Sequence, residues 1–267
     1  MSSRKIIQLV SAVILTLGWV AAQAAAAEPA APEPLMRLST LNPKAGEAVW
    51  IRLNLPTGEG WREANIGLLI VRAGGEQRSI PVEPKPGEDF ITVTFDQPGY
   101  ALIVLSAGPA SATGHSDSWQ RTPYCSKAVL RVSPKDGKSS SRLADSGSGV
   151  VGKVGQKLEI LPLINPSTLR VGDDLPVRVY YEGVKQRGVT VQAISTDHGV
   201  GTRPAKITDK TSDSVGTAWF SISDRGRWMV RFEHTVDDVR YVAELVFDVH
   251  RPAKGSEVEQ KDAGGGE

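Results

Sequence analysis

The sequence predicts an all-β protein in which two tandem β-sandwich domains follow an N-terminal signal peptide. Aromatic residues make up only 6% of the chain, whereas Gly (27) and Pro (17) are plentiful. That composition suits many short strands joined by turns better than it suits a helical bundle. Apolar and polar residues alternate with a period of two, for example in residues 90–95, and this is the signature of a half-buried strand. Outside the N-terminus no segment shows a convincing 3.6-residue period.

The N-terminal segment has the pattern of a signal peptide. Arg4 and Lys5 precede an apolar stretch that ends in small residues around Ala24. The alternative is an uncleaved anchor helix, but the apolar stretch is somewhat short for a membrane span. We therefore expect residues 1–26 to be removed on export. The mature chain then has no membrane span and is periplasmic or secreted, and its first residues, 27–35, form an extended Pro/Ala spacer.

Residues 36–133 are predicted to form the first β-sandwich. Apolar or alternating runs there are separated by clusters of Pro and Gly, as expected of strands between turns. The predicted strands cover residues 48–55, 66–71, 90–95, 100–105 and 128–132. The following residues, 134–155, are rich in Ser and Gly and are interpreted as a linker. One long mobile loop is the alternative, but such loops are uncommon inside a compact unit.

Residues 156–250 are predicted to form the second β-sandwich. Its predicted strands have high β propensity and cover residues 175–181, 189–194, 217–222, 228–233 and 242–249. The remaining residues, 251–267, are charged and end in Gly-Gly-Gly-Glu. A segment of that composition predicts a disordered tail.

The two halves share an order of turn and strand signals. Asn42-Pro43 and then Gly46 precede one strand, and Asn165-Pro166 and then Gly172 precede another. Later, an Asp followed by Gly99 or Gly226 leads into an aromatic residue that opens a strand. The recurrence favours two copies of one fold. Chance matching of common turn residues is the alternative explanation.

Several runs of the second half carry a family resemblance. They are Leu-Glu-Ile-Leu-Pro-Leu-Ile-Asn-Pro at 158–166, Gly-Asp-Asp-Leu-Pro-Val at 172–177 and Gly-Arg-Trp-Met-Val-Arg at 226–231. With the final strand and with residues 124–132, they resemble an exported bacterial family of domains of unknown function that is grouped with NikM-like nickel-uptake proteins. The resemblance implies a periplasmic, Ig-like or prealbumin-like β-sandwich linked to nickel or cobalt transport, with a transporter component or another envelope protein as partner. Members often begin with a His-containing segment, where this chain has Ala, Glu and Pro.

Candidate metal ligands come from the four histidines of the chain. None forms a His-x-His, His-Glu-x-x-His or Cys-x-x-Cys pattern, so the motif signal is weak. His115 with Asp117 in a polar loop, and His234 at a strand end, are the first candidates. Imidazole and carboxylate suit nickel or another divalent transition metal. The alternative is that these are ordinary surface histidines.

Other kinds of chemistry are poorly supported. The chain lacks a Gly-x-Ser-x-Gly motif and a phosphate-binding Lys-Ser/Thr loop, and its paired Asp residues lie at turns. We therefore predict a non-enzymatic protein. The formal charge of +1 gives no reason to expect nucleic acid as a partner.

Cys125 is the single cysteine, so no intrachain disulfide forms. We expect a buried, inert thiol, with pairing to another chain or soft-metal binding as alternatives.

Two tryptophans suggest a binding function of another kind. Trp61 and Trp119 lie in predicted loops, where exposed aromatic rings stack on sugars or anchor a protein partner. Folding back over the sandwich is the alternative. Trp50, Trp219 and Trp228 lie in predicted strands and are expected in the core.

The leading prediction is a periplasmic binding protein that assists nickel or cobalt uptake. The alternative is a cell-envelope module that binds a protein or glycan through sandwich-end loops.

Overall fold

The computed structural model describes residues 31–55, 64–72, 74–82, 90–109, 123–136, 150–196 and 205–250. The regular secondary structure of this part of the chain is almost wholly β-strand, which confirms the all-β prediction. The strands are β1 (Met36–Leu38), β2 (Ala48–Leu53), β3 (Ala64–Arg72), β4 (Gln77–Ile80), β5 (Ile91–Thr94), β6 (Gly99–Pro109), β7 (Tyr124–Val132), β8 (Leu158–Pro162), β9 (Asp174–Tyr181), β10 (Val184–Lys185), β11 (Thr190–Thr196), β12 (Lys206–Thr211), β13 (Thr217–Ser221), β14 (Gly226–Val236) and β15 (Val239–Val249). A short 3-10 helix covers Pro166–Thr168.

The described strands form one large sheet and two small ones. The large sheet has eight strands in the order β12-β11-β14-β15-β7-β6-β3-β4. One small sheet has the order β1-β2-β5, and the other has the order β10-β9-β13 with β8 also paired to β9. All pairings between these strands are antiparallel except that of β7 with β15, which is parallel.

The small sheets pack on opposite faces of the large sheet. Leu102 belongs to a core shared with Val177 and Phe220 of the four-stranded sheet. Its neighbour Ile103 belongs to a second core shared with Ile51 of the three-stranded sheet. Successive residues of a strand point to opposite faces. The molecule is therefore a β-sandwich on each side of a common central sheet.

The central sheet joins the two stretches that the sequence predicts as separate sandwiches. Residues 124–128 of β7 pair in register with residues 242–246 of β15. In addition, the predicted spacer and linker both contribute residues to the packed structure. Leu35 and Val150 are buried among core residues. Segments rich in Pro, Ala, Ser and Gly have no pattern that shows where a single apolar side chain will pack, so these contacts could not be predicted from the sequence.

The recurring turn signals occupy equivalent places in the two halves. Gly46 and Gly172 both have positive φ, 85° and 99°, and precede β2 and β9 in the small sheets. Gly99 and Gly226 also have positive φ and open β6 and β14 in the large sheet. Only glycine adopts such backbone conformations without strain. These positions support the interpretation that the halves are two copies of one arrangement.

The Asn-Pro signal of the second half has a purely structural role. The Oδ1 atom of Asn165 accepts a hydrogen bond from the backbone N–H of Ser167 at 3.0 Å and caps the 3-10 helix. Pro166 follows at the first helical position, where its missing N–H costs nothing. In the next turn, the Asp173 carboxylate accepts the N–H of Arg170 at 2.8 Å. The Asn165 and Asp173 side chains thus hold the turns that precede β9.

Candidate functional site

The one predicted site residue that the structure describes is His234, near the end of β14. It is half-buried and lies directly opposite Tyr241 of β15. Its ring centroid is 4.7 Å from that of Tyr181 and 6.0 Å from that of Phe232, with which it is stacked. The imidazole therefore lies in aromatic surroundings at the rim of the core.

Lys157 completes this group of side chains. Its Nζ atom donates a hydrogen bond to the Tyr241 hydroxyl at 2.9 Å and lies 3.4 Å from the Glu182 carboxylate. The same ammonium lies 4.6 Å from the ring centroid of Tyr241 and 5.5 Å from that of Tyr181, within the range of cation–π attraction. We call Lys157, Tyr181, His234 and Tyr241 the aromatic–lysine cluster.

The electrostatics of this cluster favour a permanently charged lysine. Desolvation works to lower the pKa of Lys157, but its hydrogen bonds to Tyr241 and Tyr181 outweigh that effect and raise the pKa above its usual value. Burial also raises the pKa of the Tyr181 hydroxyl. The cluster thus presents one fixed cation beside the Tyr181 ring.

Five strands of the large sheet terminate in one row beside this cluster, which we call the sheet end. The register pairs Ala64 of β3 with Pro109 of β6, and Tyr124 of β7 with Val242 of β15. The backbone N–H of Val242 donates to the carbonyl of Pro123 at 2.7 Å. Tyr124 is also level with Ala107 of β6, and Tyr241 and His234 are the next pair beyond Val242. The ends of β3, β6, β7, β14 and β15 therefore lie within about three residues of one another.

The other predicted site residues fall outside the described residues. They are Trp61, His115, Asp117 and Trp119. Of the strand residues that flank them, Ala64, Pro109 and Tyr124 belong to the sheet end, whereas Leu53, before Trp61, ends β2 of the three-stranded sheet. With neighbouring strands roughly 4.8 Å apart, β7 lies about 10 Å from β14, and β3 lies about 19 Å from it.

His198, the remaining loop histidine, also lies outside the described residues. The strand that precedes it ends at Thr196, which is paired with Arg227 at the beginning of β14. His234 lies seven residues further along the same strand, roughly 23 Å away at 3.3 Å per residue. The strand flanking His198 therefore ends far from the aromatic–lysine cluster.

A complete metal site is not found in the described part of the chain. There, no group of three or more His, Cys, Asp or Glu side chains converges. The carboxylate next to His234 in sequence, Glu233, is already engaged. It accepts hydrogen bonds from Arg231 at 2.9 Å and from Arg240 at 2.6 Å, and these bonds outweigh desolvation and lower its pKa. His234 could supply one ligand, and the others would have to come from elsewhere.

Cys125 follows Tyr124 of the sheet end and lies in the core beside it. Its side chain is buried, and desolvation raises the pKa of the thiol to about 12. The thiolate that would bind a soft metal or attack another group therefore does not form near neutral pH. The structure agrees with the expectation of a buried, inert thiol.

Lys157, Tyr181 and Tyr241 were not predicted as site residues. A signal for Tyr241 was present: Asp237 and Asp238 both have positive φ and form the two-residue turn between β14 and β15. In a hairpin with Asp237 and Asp238 at its turn, counting residues outward along the two strands pairs His234 with Tyr241. No comparable signal existed for Lys157 and Tyr181, because they approach from elements that are distant in sequence.

Comparisons with known proteins place the chain in a family. A crystal structure of Salmonella alpha-2-macroglobulin reacted with methylamine is similar at 12% identity and a TM-score of 0.26, over 82% of this chain and 15% of that one. The chicken CNTN1 FN1-FN3 domains are similar at 10% identity and a TM-score of 0.24, over 79% of this chain and 62% of that one. This chain thus spans less than two thirds of either protein. No curated protein matches. Within the described residues, no helix has the length and apolarity needed to cross a membrane. The family described as "Domain of unknown function (DUF4198)" matches residues 9–236, and the chain belongs to that family.

Proposed function

We propose that the chain is a non-enzymatic binding protein of the cell envelope that binds its ligand at the sheet end. The observation that carries this proposal is the convergence of strand ends. The segments containing four of the predicted site residues begin or end on strands that terminate in the same row as His234. A periplasmic location is part of the proposal and rests on the signal-peptide pattern of residues 1–26.

The first candidate ligand is a divalent transition metal, with nickel or cobalt favoured by the resemblance to uptake proteins. His115, Asp117 and His234 would be the ligands. His115 follows Pro109 by six residues, a length that spans up to about 20 Å when extended. That reach exceeds the roughly 14 Å between β14 and β6, the strand that ends at Pro109. Imidazole and carboxylate donors are suited to such a metal.

Calorimetric titration of the mature protein with nickel, cobalt, zinc and copper salts tests the metal candidate. We expect binding tighter than about 1 mM. The variants His234→Ala and His115→Ala should each weaken it by roughly tenfold or more, equivalent to about 1.4 kcal/mol. His198→Ala is the matched control and should bind as the wild type does, since its flanking strand ends at the opposite end of β14. Absence of binding at this level rejects the metal candidate.

The second candidate ligand is a protein or glycan of the envelope, recognised by Trp61 and Trp119. The aromatic–lysine cluster supports it, because its two tyrosines are of a residue type that is enriched among the anchors of interfaces. Co-sedimentation with purified peptidoglycan sacculi is a direct test for the glycan form. The variants Trp61→Ala and Trp119→Ala should reduce the bound fraction. Trp50→Ala, which alters an exposed tryptophan in the middle of β2, should not.

A further inference from the structure

An exposed tryptophan lies in the middle of β13, at the edge of the four-stranded sheet and on its outer face. Trp219 is the central residue of β13, and 54% of it is exposed to solvent. Its neighbours Ala218 and Phe220 are buried in the core. Because alternate residues of a strand point to opposite faces, the indole projects away from the core. Directly opposite on β9 is Pro176.

Polar pairs flank this indole on both sides along the strands. Thr217 lies opposite Arg178, and Ser221 lies opposite Asp174. The Nε atom of Arg178 donates to the Thr217 hydroxyl at 3.2 Å, and the Ser221 hydroxyl donates to the Asp174 carboxylate at 2.6 Å. Residues two apart on a strand are separated by roughly 6.6 Å. A guanidinium and a carboxylate thus stand on either side of the tryptophan.

This arrangement has the donors and acceptors that a sugar requires. The face of an indole packs against the C–H groups of a pyranose ring. Hydroxyl groups at the ring's edge both donate and accept hydrogen bonds, and they match a carboxylate on one side and a guanidinium on the other. All five side chains are held on paired strands, so little conformational freedom is lost on binding.

The size of the apolar surface favours a sugar over a protein. A tryptophan side chain buries at most about 250 Å², and about half of that is available here. A stable protein interface covers about 800 Å² on each partner and has an apolar centre. Apart from Pro176, the residues paired around Trp219 on this face are hydroxyl-bearing or charged. The exposed apolar area suits a single ring-sized group.

We propose that Trp219, Asp174 and Arg178 form a binding site for a pyranose unit of a neutral glycan on the outer face of the four-stranded sheet. The site is separate from the sheet end and does not rest on the function proposed for it. Trp50 provides an internal comparison. It is 44% exposed in the middle of β2 and lies opposite Thr92, but no carboxylate is paired with that strand on its face.

Titration of the full mature chain with cellohexaose, chitohexaose and mannohexaose, followed by the indole signals in NMR and by calorimetry, tests the proposal. At least one sugar should bind with a dissociation constant of about 10 mM or tighter. Trp219→Ala should weaken that binding by about tenfold or more, as expected for loss of a stacking platform. Trp219→Phe should retain part of it, and Asp174→Asn should weaken it.

Trp50→Ala is the matched control and should leave sugar binding unchanged. Circular dichroism should show native folding of each variant, and Trp219→Phe keeps the test valid if the alanine variant is unstable. The proposal is overturned if none of the three sugars binds at about 10 mM, or if Trp50→Ala weakens binding as much as Trp219→Ala does. It is likewise overturned if binding depends on Trp61 or Trp119 instead, because the sugar would then occupy the sheet end.

Discussion

The Nζ atom of Lys127 lies 2.5 Å from the Oε1 atom of Glu159, and both side chains are almost completely buried. Lys127 is in β7 and Glu159 is in β8, so the pair joins the two stretches that the sequence predicts as separate sandwiches. Both charged groups also form hydrogen bonds with backbone atoms. The ammonium also donates to the carbonyl of Ile160 at 3.2 Å, and the carboxylate accepts the N–H groups of Val154 at 2.7 Å and Gly155 at 3.2 Å.

Breaking this pair should strongly destabilise the fold. Lys127→Met leaves a buried carboxylate without its cation, and we expect the free energy of unfolding to fall by about 3–5 kcal/mol. Glu159→Leu should cost more, because it leaves both the buried ammonium and two backbone N–H groups without an acceptor. Urea denaturation followed by circular dichroism measures both effects.

Two further variants sharpen this test. Lys210→Met replaces an exposed lysine of β12 and should change stability by no more than about 0.5 kcal/mol. The double variant Lys127→Met/Glu159→Leu should recover part of the loss, since no charge is left buried. A Lys127→Met protein as stable as the wild type would show that the pair does not hold the two halves together.

Composition, alternation and apolar runs were enough to predict the fold class and ten of the fifteen described strands. They did not predict β1, β4, β8, β10 and β12, or the partners of the strands. Residues 128–132 were predicted as a strand, and β7 indeed contains them. A period of two says which side chains share a face. It does not say that β7 will pair with β15, far away in sequence, or that Lys127 will meet Glu159. Such contacts depend on packing between sheets, which leaves no local pattern.

For two tryptophans, the alternation of apolar and polar residues was informative, but the general expectation that tryptophan is buried was given more weight. Trp50 and Trp219 were predicted in the core, and both are exposed, so this prediction was wrong. In β2 the alternation already groups Trp50 with Arg52, while Val49 and Ile51 occupy the other face. The size and hydrophobicity of tryptophan suggested burial. The outer face of a sandwich sheet nevertheless contacts solvent.

The burial of each tryptophan predicts how much stability is lost when it is replaced. Trp228 is only 3% exposed, and its indole N–H donates to the carbonyl of Asp224 at 3.0 Å. Trp228→Ala should therefore reduce the free energy of unfolding by about 3–5 kcal/mol. Trp50→Ala and Trp219→Ala should each reduce it by less than about 1 kcal/mol. Thermal and urea unfolding of the three variants provide the comparison, and equal losses would contradict the assigned faces.

Glu244 should make stability depend on pH. Burial raises the pKa of this carboxyl from 4.5 to about 7, although the N–H of Leu35 and the Arg231 guanidinium act in the opposite direction. Between these values the folded chain holds a proton that the unfolded chain has released. Its contribution to stability is therefore complete below about pH 4.5 and is lost as the pH rises to about 7.

The variant Glu244→Gln tests this pH dependence. It cannot ionise, so its stability relative to the wild type should rise between about pH 4.5 and 7.5, by on the order of 1–3 kcal/mol. Glu233→Gln is the control, and its stability relative to the wild type should change with pH in the opposite direction. Hydrogen bonds from two arginines lower the pKa of Glu233, so its contribution is lost on acidification instead. Wild type and Glu244→Gln proteins with parallel pH profiles would contradict this account.

Cys125 should be unreactive until the protein unfolds. Its thiol is buried, with a pKa raised to about 12 by desolvation. A disulfide reagent such as Ellman's reagent at about pH 8 meets little thiolate and little accessible sulfur in the native state. We expect labelling at the rate of global unfolding, and rapid labelling in urea. In a Cys125→Ala background, the exposed variant Lys210→Cys should react at once. If native Cys125 were labelled as fast as that control, the thiol would be accessible and β7 would not be packed as described.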